Sequence, residues 1–163
     1  MSRKVLLVST CLLGINTKYN GGNNHHPHVV VLQKKALLVP CCPEQLGGLS
    51  TPRAATEIRG GDGHNVLAGC ARVVTATNED RTNAFIAGAE AALCIAEVVA
   101  AEGALLKARS PSCGRGCIYG GHFNETTKKG DGVTAALLTR AGLPIFTEEE
   151  LPELMLWLTN RDS

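Results

Sequence analysis

What the sequence lacks narrows its function before any motif is considered. Its formal net charge is only +1 and aromatic residues make up 4%, so neither a basic surface nor a set of stacking rings points to nucleic acid. No apolar run approaches the roughly 18 residues that a membrane-spanning helix needs. We therefore expect a protein that acts on a small molecule, with neither nucleic acid nor a membrane as partner. The sequence leaves the oligomeric state open.

A secretory signal is also missing, which decides how the seven cysteines are interpreted. The short apolar run after Arg3 and Lys4 has no small-residue cleavage site, and an odd number of cysteines does not suit a full set of disulfides. We expect a cytoplasmic protein, in which cysteines are buried, bind metal or act in catalysis. A chain of this length can form its own core, and no linker or repeat divides it, so residues 1–163 are assigned to one domain.

Continuous apolar runs predict four strands buried on both faces, as in a parallel sheet. They begin at Lys4, Ala36, Ala104 and Leu143. Helical periodicity predicts a long helix between the second and third strands, ended by Gly103, and shorter helices over 133–141, ended by Gly142, and from about Glu148. Residues 50–78 are expected to be irregular apart from a short strand in "ARVVT". The alternation predicts a single-domain α/β sandwich with a mostly parallel sheet flanked by helices.

Three cysteines follow three of these predicted strands. Cys11 comes after the first, Cys42 after the second and Cys113 shortly after the third. Ligands of open α/β sheets bind at the carboxyl edge of the strands, so we expect the three thiols to meet there. Three converging thiolates can hold zinc, with a histidine as fourth ligand, or an iron–sulfur cluster with one open iron. The lack of a C-x-x-C pair weakens the zinc interpretation without excluding it.

Cys42 stands next to Cys41, and the backbone is expected to decide between them. Successive side chains of a strand point to opposite faces, so both thiols should not reach one site. Pro43 favours an extended conformation at the residue before it, which places Cys42 and Glu44 on the same side. We therefore expect Cys42 to face the site and Cys41 to turn into the core.

Five segments together resemble the signature blocks of a known family. They are "VSTCLLGINTKYNGG", "CPEQLGGLSTPRAATEI", "GGDGHNVLAGCARV", "LLKARSPSCGRGCIYGGHF" and "GDGVTAALLTRAGL". In this order they are similar to the thiouracil desulfidase family, formerly a domain of unknown function. The resemblance implies a [4Fe-4S] cluster held by Cys11, Cys42 and Cys113. It also implies a non-redox, hydrolytic removal of sulfur from 2-thiouracil, 4-thiouracil or thio-UMP, which yields the oxo pyrimidine and sulfide.

The residues near these cysteines suit that chemistry. An iron without a protein ligand is an open Lewis-acid position, and a thiocarbonyl sulfur is a soft donor suited to it. Glu44, two residues after Cys42, is expected to be the base that takes a proton from the attacking water. Ser110 is expected to orient the ring or the water, or else only to shape a turn before Pro111. Lys107 is expected to balance negative charge on the substrate, or else to be a solvated cation.

The expected size of the substrate depends on a glycine-rich helix start. Gly130 and Gly132 precede the helix predicted over 133–141, and backbone amides at such a start can hold a phosphate. A phosphate site would favour a nucleotide over the free base, whereas a plain turn and cap would not. Two other functions stay open: another hydrolase or hydro-lyase that uses an open iron, and a non-enzymatic iron–sulfur or zinc sensor.

Overall fold

A four-stranded parallel sheet lies at the centre of the computed structural model, which describes residues 2–160. The strands are β1 (Lys4–Ser9), β2 (Ala36–Cys41), β3 (Thr56–Arg59), β4 (Arg72–Thr75), β5 (Gly103–Leu106), β6 (Cys117–Tyr119), β7 (Thr127–Lys129) and β8 (Ile145–Thr147). The helices are α1 (Pro27–Val30), α2 (Pro43–Leu46), α3 (Gly63–Leu67), α4 (Thr82–Val98), α5 (Val133–Arg140) and α6 (Leu151–Thr159). The central sheet has the order β2-β1-β5-β8, and β3-β4 and β6-β7 form two antiparallel pairs. This confirms the predicted α/β sandwich.

The central strands are buried on both faces because helices cover each side of the sheet. Leu6, Leu7 and Val8 of β1 are fully buried. Successive side chains of a strand alternate between faces, and Leu7 packs in a cluster with side chains of α4 and α5. Leu6 and Val8 pack instead with side chains of α1 and α6. Continuous apolar runs in the sequence are the direct result of this two-sided burial.

The short helix α2 is fixed against α4 by a pair of glycines. A Cβ atom at Gly47 would overlap the backbone carbonyl of Ala84, and one at Gly88 would overlap that of Pro43. Both positions need glycine because the two backbones touch there. The contact sets the position of the chain immediately after Cys42.

A third core cluster joins the antiparallel pair β3-β4 to the helical layer. Ile58 and Val73 pack there with Phe85 of α4, Val133 of α5 and Ile118 of β6. Sequence analysis was wrong to expect an irregular segment over 50–78, since β3 and α3 both lie in it. Helix α3 begins at a capping box, in which side chain and backbone of Asp62 and Asn65 bond reciprocally.

Two helix boundaries also differ from the prediction. Helix α4 ends at Val98 rather than at Gly103, because Ala100 takes the left-handed conformation with φ 53° and turns the chain. Gly103 instead begins β5. Helix α6 starts at Leu151 rather than near Glu148. The end of α5 before Gly142, whose φ is 91°, agrees with the prediction. Within residues 2–160, no helix combines the length and apolarity needed to cross a membrane.

Candidate active site

The three predicted thiols meet in a cavity of about 370 Å³ at the carboxyl edge of the central sheet. Cys11 lies in a 3-10 turn, Thr10–Leu13, that follows β1. Cys42 caps the N-terminus of α2, and Cys113 lies in the loop after β5. Each of them lines the cavity. The structure therefore brings together the residues that the strand-end pattern singled out.

Cys41 is also part of the cavity wall, which differs from the expectation. It is the last residue of β2 and is buried in the core cluster that contains Leu7. Cys42 has the extended backbone expected before Pro43, with φ −117° and ψ 98°. Its thiol lies 3.9 Å from the carbonyl oxygen of Thr17. Cys41 is thus directed into the core as predicted, but its strand ends so close to the cavity that it still borders it.

The thiols are electrostatically coupled. Burial raises the pKa of Cys11 and of Cys113, and the charges of neighbouring cysteines raise the pKa of both thiols further. Burial and the neighbouring Cys42 raise the pKa of Cys41 to about 12. Desolvated thiols that repel one another as thiolates are costly to ionise unless a cation compensates them. A metal centre provides that compensation, since coordination deprotonates a thiol.

The donor set fits an iron–sulfur cluster better than zinc. None of the five histidines lines the cavity, so a fourth zinc ligand of that type is missing there. In the described part of the chain, no three Cys, His, Asp or Glu side chains are placed to share a single metal ion. Cysteines that hold a cluster bind different iron atoms and need not converge on one point. Cys11, Cys42 and Cys113 satisfy that looser requirement.

Two of these sulfur atoms accept hydrogen bonds from side chains that sequence analysis did not identify. The Nδ2 atom of Asn24 donates to Cys11 Sγ over 3.4 Å. The hydroxyl of Ser112 lies 3.4 Å from Cys113 Sγ, and its one hydrogen is shared between this sulfur and Glu44 Oε2. Such bonds favour a charged sulfur, and they fix the orientation of both side chains.

Glu44 is held between a cation and a hydroxyl at the cavity wall. Its Oε1 accepts from Arg53 Nε over 3.0 Å, and its Oε2 accepts from Ser112 Oγ over 3.3 Å. The side chain of Arg53 is only 7% exposed. Its Nη2 also donates to the Thr17 carbonyl over 2.8 Å, and its Nη1 to Thr51 Oγ1 over 2.9 Å. A buried guanidinium requires this many partners, and its role was missed in the sequence.

Ser110 lies beside this network. Its Oγ accepts from the backbone N–H groups of Ser112, over 3.2 Å, and Cys113, over 3.1 Å. The two hydroxyls of Ser110 and Ser112 are 3.2 Å apart. The turn-shaping role considered for Ser110 is therefore present, and the residue also lines the cavity. Because its oxygen already accepts two bonds, its own hydrogen is the one that is donated to Ser112 Oγ.

Lys107 lines the cavity as an ion-paired residue rather than as a solvated cation. Its Nζ lies 3.1 Å from Glu148 Oε2 and donates to the Ala108 carbonyl over 3.0 Å. Glu148 Oε1 in turn accepts from the backbone N–H of Ala108. The pair joins the end of β5 to the segment after β8. No local sequence pattern indicates this contact.

Gly130 and Gly132 do not line the cavity. The backbone N–H groups at the start of α5 donate to carbonyl oxygens in the Cys113 loop; the donors are Gly132, Val133, Thr134 and Ala135, and the acceptors are Gly114, Pro111 and Ser112. The predicted phosphate site is therefore not present at this helix start, because its donors already have acceptors. A Cβ at Gly132 would collide with the backbone of Ser112 and Cys113. The glycine instead lets α5 approach and support the Cys113 loop.

Comparison with known proteins agrees with this arrangement. The family model for 2-thiouracil desulfurase matches residues 6–150. Uncharacterized protein YbbK of Bacillus subtilis (strain 168) is 44% identical over 151 residues, which cover 93% of this chain and 100% of that protein. The solved structure of the [4Fe-4S]-dependent thiouracil desulfidase TudS (DUF523Vcz) has a TM-score of 0.84 and 39% identity, with 96% of this chain and 99% of that chain covered. The chain belongs to the 2-thiouracil desulfurase family.

Proposed function

We propose that the protein is an enzyme that hydrolyses the carbon–sulfur bond of thiolated uracils and depends on a [4Fe-4S] cluster. The observation that carries this proposal is the meeting of three thiols and an Arg53-bound carboxylate in one cavity. The family and the solved TudS structure support the same activity. The substrates are 2-thiouracil, 4-thiouracil or thio-UMP, and the products are the oxo pyrimidine and sulfide.

Cys11, Cys42 and Cys113 are the residues that would hold the cluster. When bound, the cluster supplies an open iron position, a Lewis acid suited to a soft thiocarbonyl sulfur. The hydrogen bonds from Asn24 and Ser112 reach two of the three sulfur atoms and stabilise their charged form. The third thiol stands two residues from Glu44, so ligand and carboxylate are positioned by the same short segment.

Glu44 takes the proton of the attacking water in this proposal. Arg53 occupies its Oε1, which fixes the plane of the carboxylate and leaves Oε2 to exchange its contact with Ser112 for a water. Ser110 would turn its hydroxyl hydrogen from Ser112 Oγ toward the ring or the water. Lys107 lines the cavity and is ion-paired with Glu148, and its ammonium would turn toward negative charge on the substrate. In this proposal Glu44 moves a proton, Arg53 orients the carboxylate, and Ser110 and Lys107 bind or orient the substrate or the water.

A sensor that only reported on cluster state would not need these groups. A carboxylate with an oriented oxygen, a buried arginine and a serine pair are the parts of a proton-transfer site. All seven cysteines are free in the structure, which supports a reducing compartment and hence the proposed cytoplasmic location. The small cavity supports a small-molecule substrate rather than nucleic acid.

Anaerobic reconstitution tests this function directly. Protein reconstituted with iron and sulfide is expected to contain a [4Fe-4S] cluster and to convert thiouracils to uracils without any electron donor. Sulfide and oxo pyrimidine should appear in equal amounts, since replacing C=S by C=O with water is a hydrolysis. Zinc in place of iron, no metal after reconstitution, or a strict need for a reductant during turnover would contradict the proposal.

A further inference from the structure

We propose that Glu57 accepts a hydrogen bond from the ring N–H beside the thiocarbonyl and so selects thiopyrimidines that carry this N–H. The inference rests on the proposed function of the same cavity. Glu57 lies on β3, in the segment that sequence analysis took to be irregular, and it lines the cavity. It takes no part in the network around Glu44.

Glu57 is a buried carboxylate whose two oxygen atoms are used differently. The residue is 8% exposed. Its Oε1 accepts from the backbone N–H groups of Gly121, over 2.8 Å, and Phe123, over 3.3 Å. Residues 2–160 provide no hydrogen bond to its Oε2. Burial lowers the pKa of Lys128, and the charges of Asp62 and Glu57 partly oppose that shift. The Nζ of Lys128 donates to the Ile58 carbonyl.

In this proposal the second oxygen points toward the cavity. In the described chain, the fully enclosed side-chain atoms without a partner are His26 Nδ1 and the hydroxyls of Thr56 and Thr134. Glu57 Oε2 is not enclosed in this way, and the cavity is the space that its residue borders. A ligand that displaces water from the cavity would leave this carboxylate oxygen desolvated, which is costly unless a donor replaces the water. A ligand N–H in the cavity removes that cost.

The surroundings of Glu57 suit a flat heterocycle. Phe123 lines the cavity. Its backbone N–H donates to Glu57 Oε1, on the carboxylate whose Oε2 accepts no hydrogen bond from residues 2–160. Its backbone is held at φ 53°, a conformation that a residue with a side chain rarely adopts. Tyr119 lines the cavity as well. Aromatic side chains next to a hydrogen-bond acceptor suit a planar ligand ring that carries a hydrogen-bond donor on its edge.

Thiouracils carry that donor next to the reacting carbon. In both 2-thiouracil and 4-thiouracil, N3–H adjoins the carbon that bears sulfur. A hydrogen bond from N3–H to a carboxylate is charge-assisted and therefore stronger than one to a neutral acceptor. It would also fix the ring so that the thiocarbonyl has a defined direction. Glu57 would thus act in substrate recognition, whereas Glu44 acts on water.

The substitution Glu57→Gln separates recognition from support of the loop. The amide oxygen can still accept from Gly121 and Phe123, so the loop keeps its anchor. The amide NH₂ then takes the place of Oε2 and presents a donor where an acceptor stood. Glu102→Gln is the matched control, because Glu102 accepts the backbone N–H of Val5 at the amino end of the sheet. The melting temperatures of both variants should stay close to that of the wild type.

The decisive measurement is kcat/KM of the reconstituted enzymes for 4-thiouracil and its 1-methyl and 3-methyl derivatives. For the wild type and for Glu102→Gln, 3-methylation should lower kcat/KM about 10- to 100-fold, the range of a hydrogen bond to a charged group, and 1-methylation much less. For Glu57→Gln, kcat/KM for 4-thiouracil should fall by a similar factor, and the penalty for 3-methylation should nearly vanish. An unchanged penalty in Glu57→Gln would overturn the proposal.

Failure of the proposed function would look different. In that case none of the enzymes would release sulfide from any thiouracil. Equilibrium dialysis of 4-thiouracil and its 3-methyl derivative against the reconstituted proteins would then still test Glu57. Weaker binding of 4-thiouracil by Glu57→Gln, with loss of the discrimination against 3-methylation, supports the inference, and equal binding and discrimination in all three proteins overturns it.

Discussion

The two ends of the central sheet treat polar groups in opposite ways. At the amino end, Glu102 exchanges hydrogen bonds with the backbone of Val5, through its Oε2 over 3.0 Å and its N–H over 2.8 Å. Lys4 Nζ lies 4.5 Å from the ring centre of Trp157. At the carboxyl end, burial raises the pKa of the Cys113 thiol, and no residue within 2–160 donates to Glu57 Oε2. The polar groups at the amino end are paired within the protein, whereas the cavity at the carboxyl end also contains buried thiols and a carboxylate oxygen for which we propose a ligand.

The connections of the chain explain this difference. Short turns lead from α4 into β5 and from α5 into β8, so the amino end has little chain to form a cavity. Longer segments follow β1 and β5, over 10–26 and 107–116, and they carry Cys11 and Cys113. Loops can vary without disturbing the core, so binding groups collect where loops are long. We expect substitutions at the carboxyl end to change activity and those at the amino end to change only stability.

The largest effect is expected for Cys42→Ser. Loss of one of three thiol ligands should abolish both cluster and turnover. Cys41→Ser is the matched control, since it changes the adjacent thiol of the same cavity and should keep both, at a stability cost of about 1–3 kcal/mol for a buried hydroxyl. Iron content and thiouracil turnover under argon measure this. A cluster lost in Cys41→Ser and kept in Cys42→Ser would reverse the assignment and remove the argument for Glu44.

The next largest effect is expected for Glu44→Gln. No ligand is lost, so iron content should stay at the wild-type value, while turnover should fall about a hundredfold with the loss of a general base. Glu102→Gln at the opposite end should change turnover less than about twofold, as is usual for a substitution remote from the chemistry. Near-normal turnover of Glu44→Gln would place the base elsewhere in the cavity.

Arg53→Lys is expected to have a smaller effect on the same step. Lysine keeps the positive charge but lacks the fork that reaches Thr17, Thr51 and Glu44 together. The carboxylate should keep a positively charged neighbour but lose its fixed orientation, so kcat should fall about tenfold while KM and iron content change little. A fall in iron content would instead show that Arg53 supports the cluster-binding segment.

Sequence reasoning succeeded where the signal was local. Continuous apolar runs predicted β1, β2, β5 and β8, because helices cover both faces of the sheet and most positions of its strands are apolar. The meeting of Cys11, Cys42 and Cys113 followed from the rule that parallel strands end at one edge. Both predictions needed only the pattern within each segment and the rule that ligands bind at the carboxyl edge of open α/β sheets.

It failed where a residue's role depends on distant partners. Glu57 binds Gly121, which is 64 residues away, and nothing near Glu57 in the sequence indicates this contact. Strand β3 has only four residues, and Ile58 is the one aliphatic side chain among them, so no period of two stands out in the sequence. The phosphate prediction at Gly132 failed for the same reason, since the amides of that helix start find acceptors in the Cys113 loop.

The smallest effect on activity is expected for Gly103→Ala at the amino end of β5. A Cβ there would lie 2.7 Å from Trp157 Cη2 and 3.2 Å from the Pro144 carbonyl oxygen. The crowding should lower the free energy of unfolding by about 1–3 kcal/mol. Turnover should be unchanged, because Gly103 lies three residues before the end of β5 and does not border the cavity.

A double-mutant cycle with Trp157→Phe identifies the cause of that loss. Phenylalanine lacks the Cη2 and Cζ2 atoms that the new Cβ would meet, so Gly103→Ala should cost less in this background. Urea unfolding followed by circular dichroism gives the four free energies of unfolding, and thiouracil turnover is measured on the same proteins. If the free-energy costs of Gly103→Ala and Trp157→Phe simply add, crowding against Trp157 is not the cause of the loss. A loss of turnover that exceeds the loss of folded protein would show that the two ends of the sheet are coupled. The expectation that substitutions at the amino end change only stability would then be wrong.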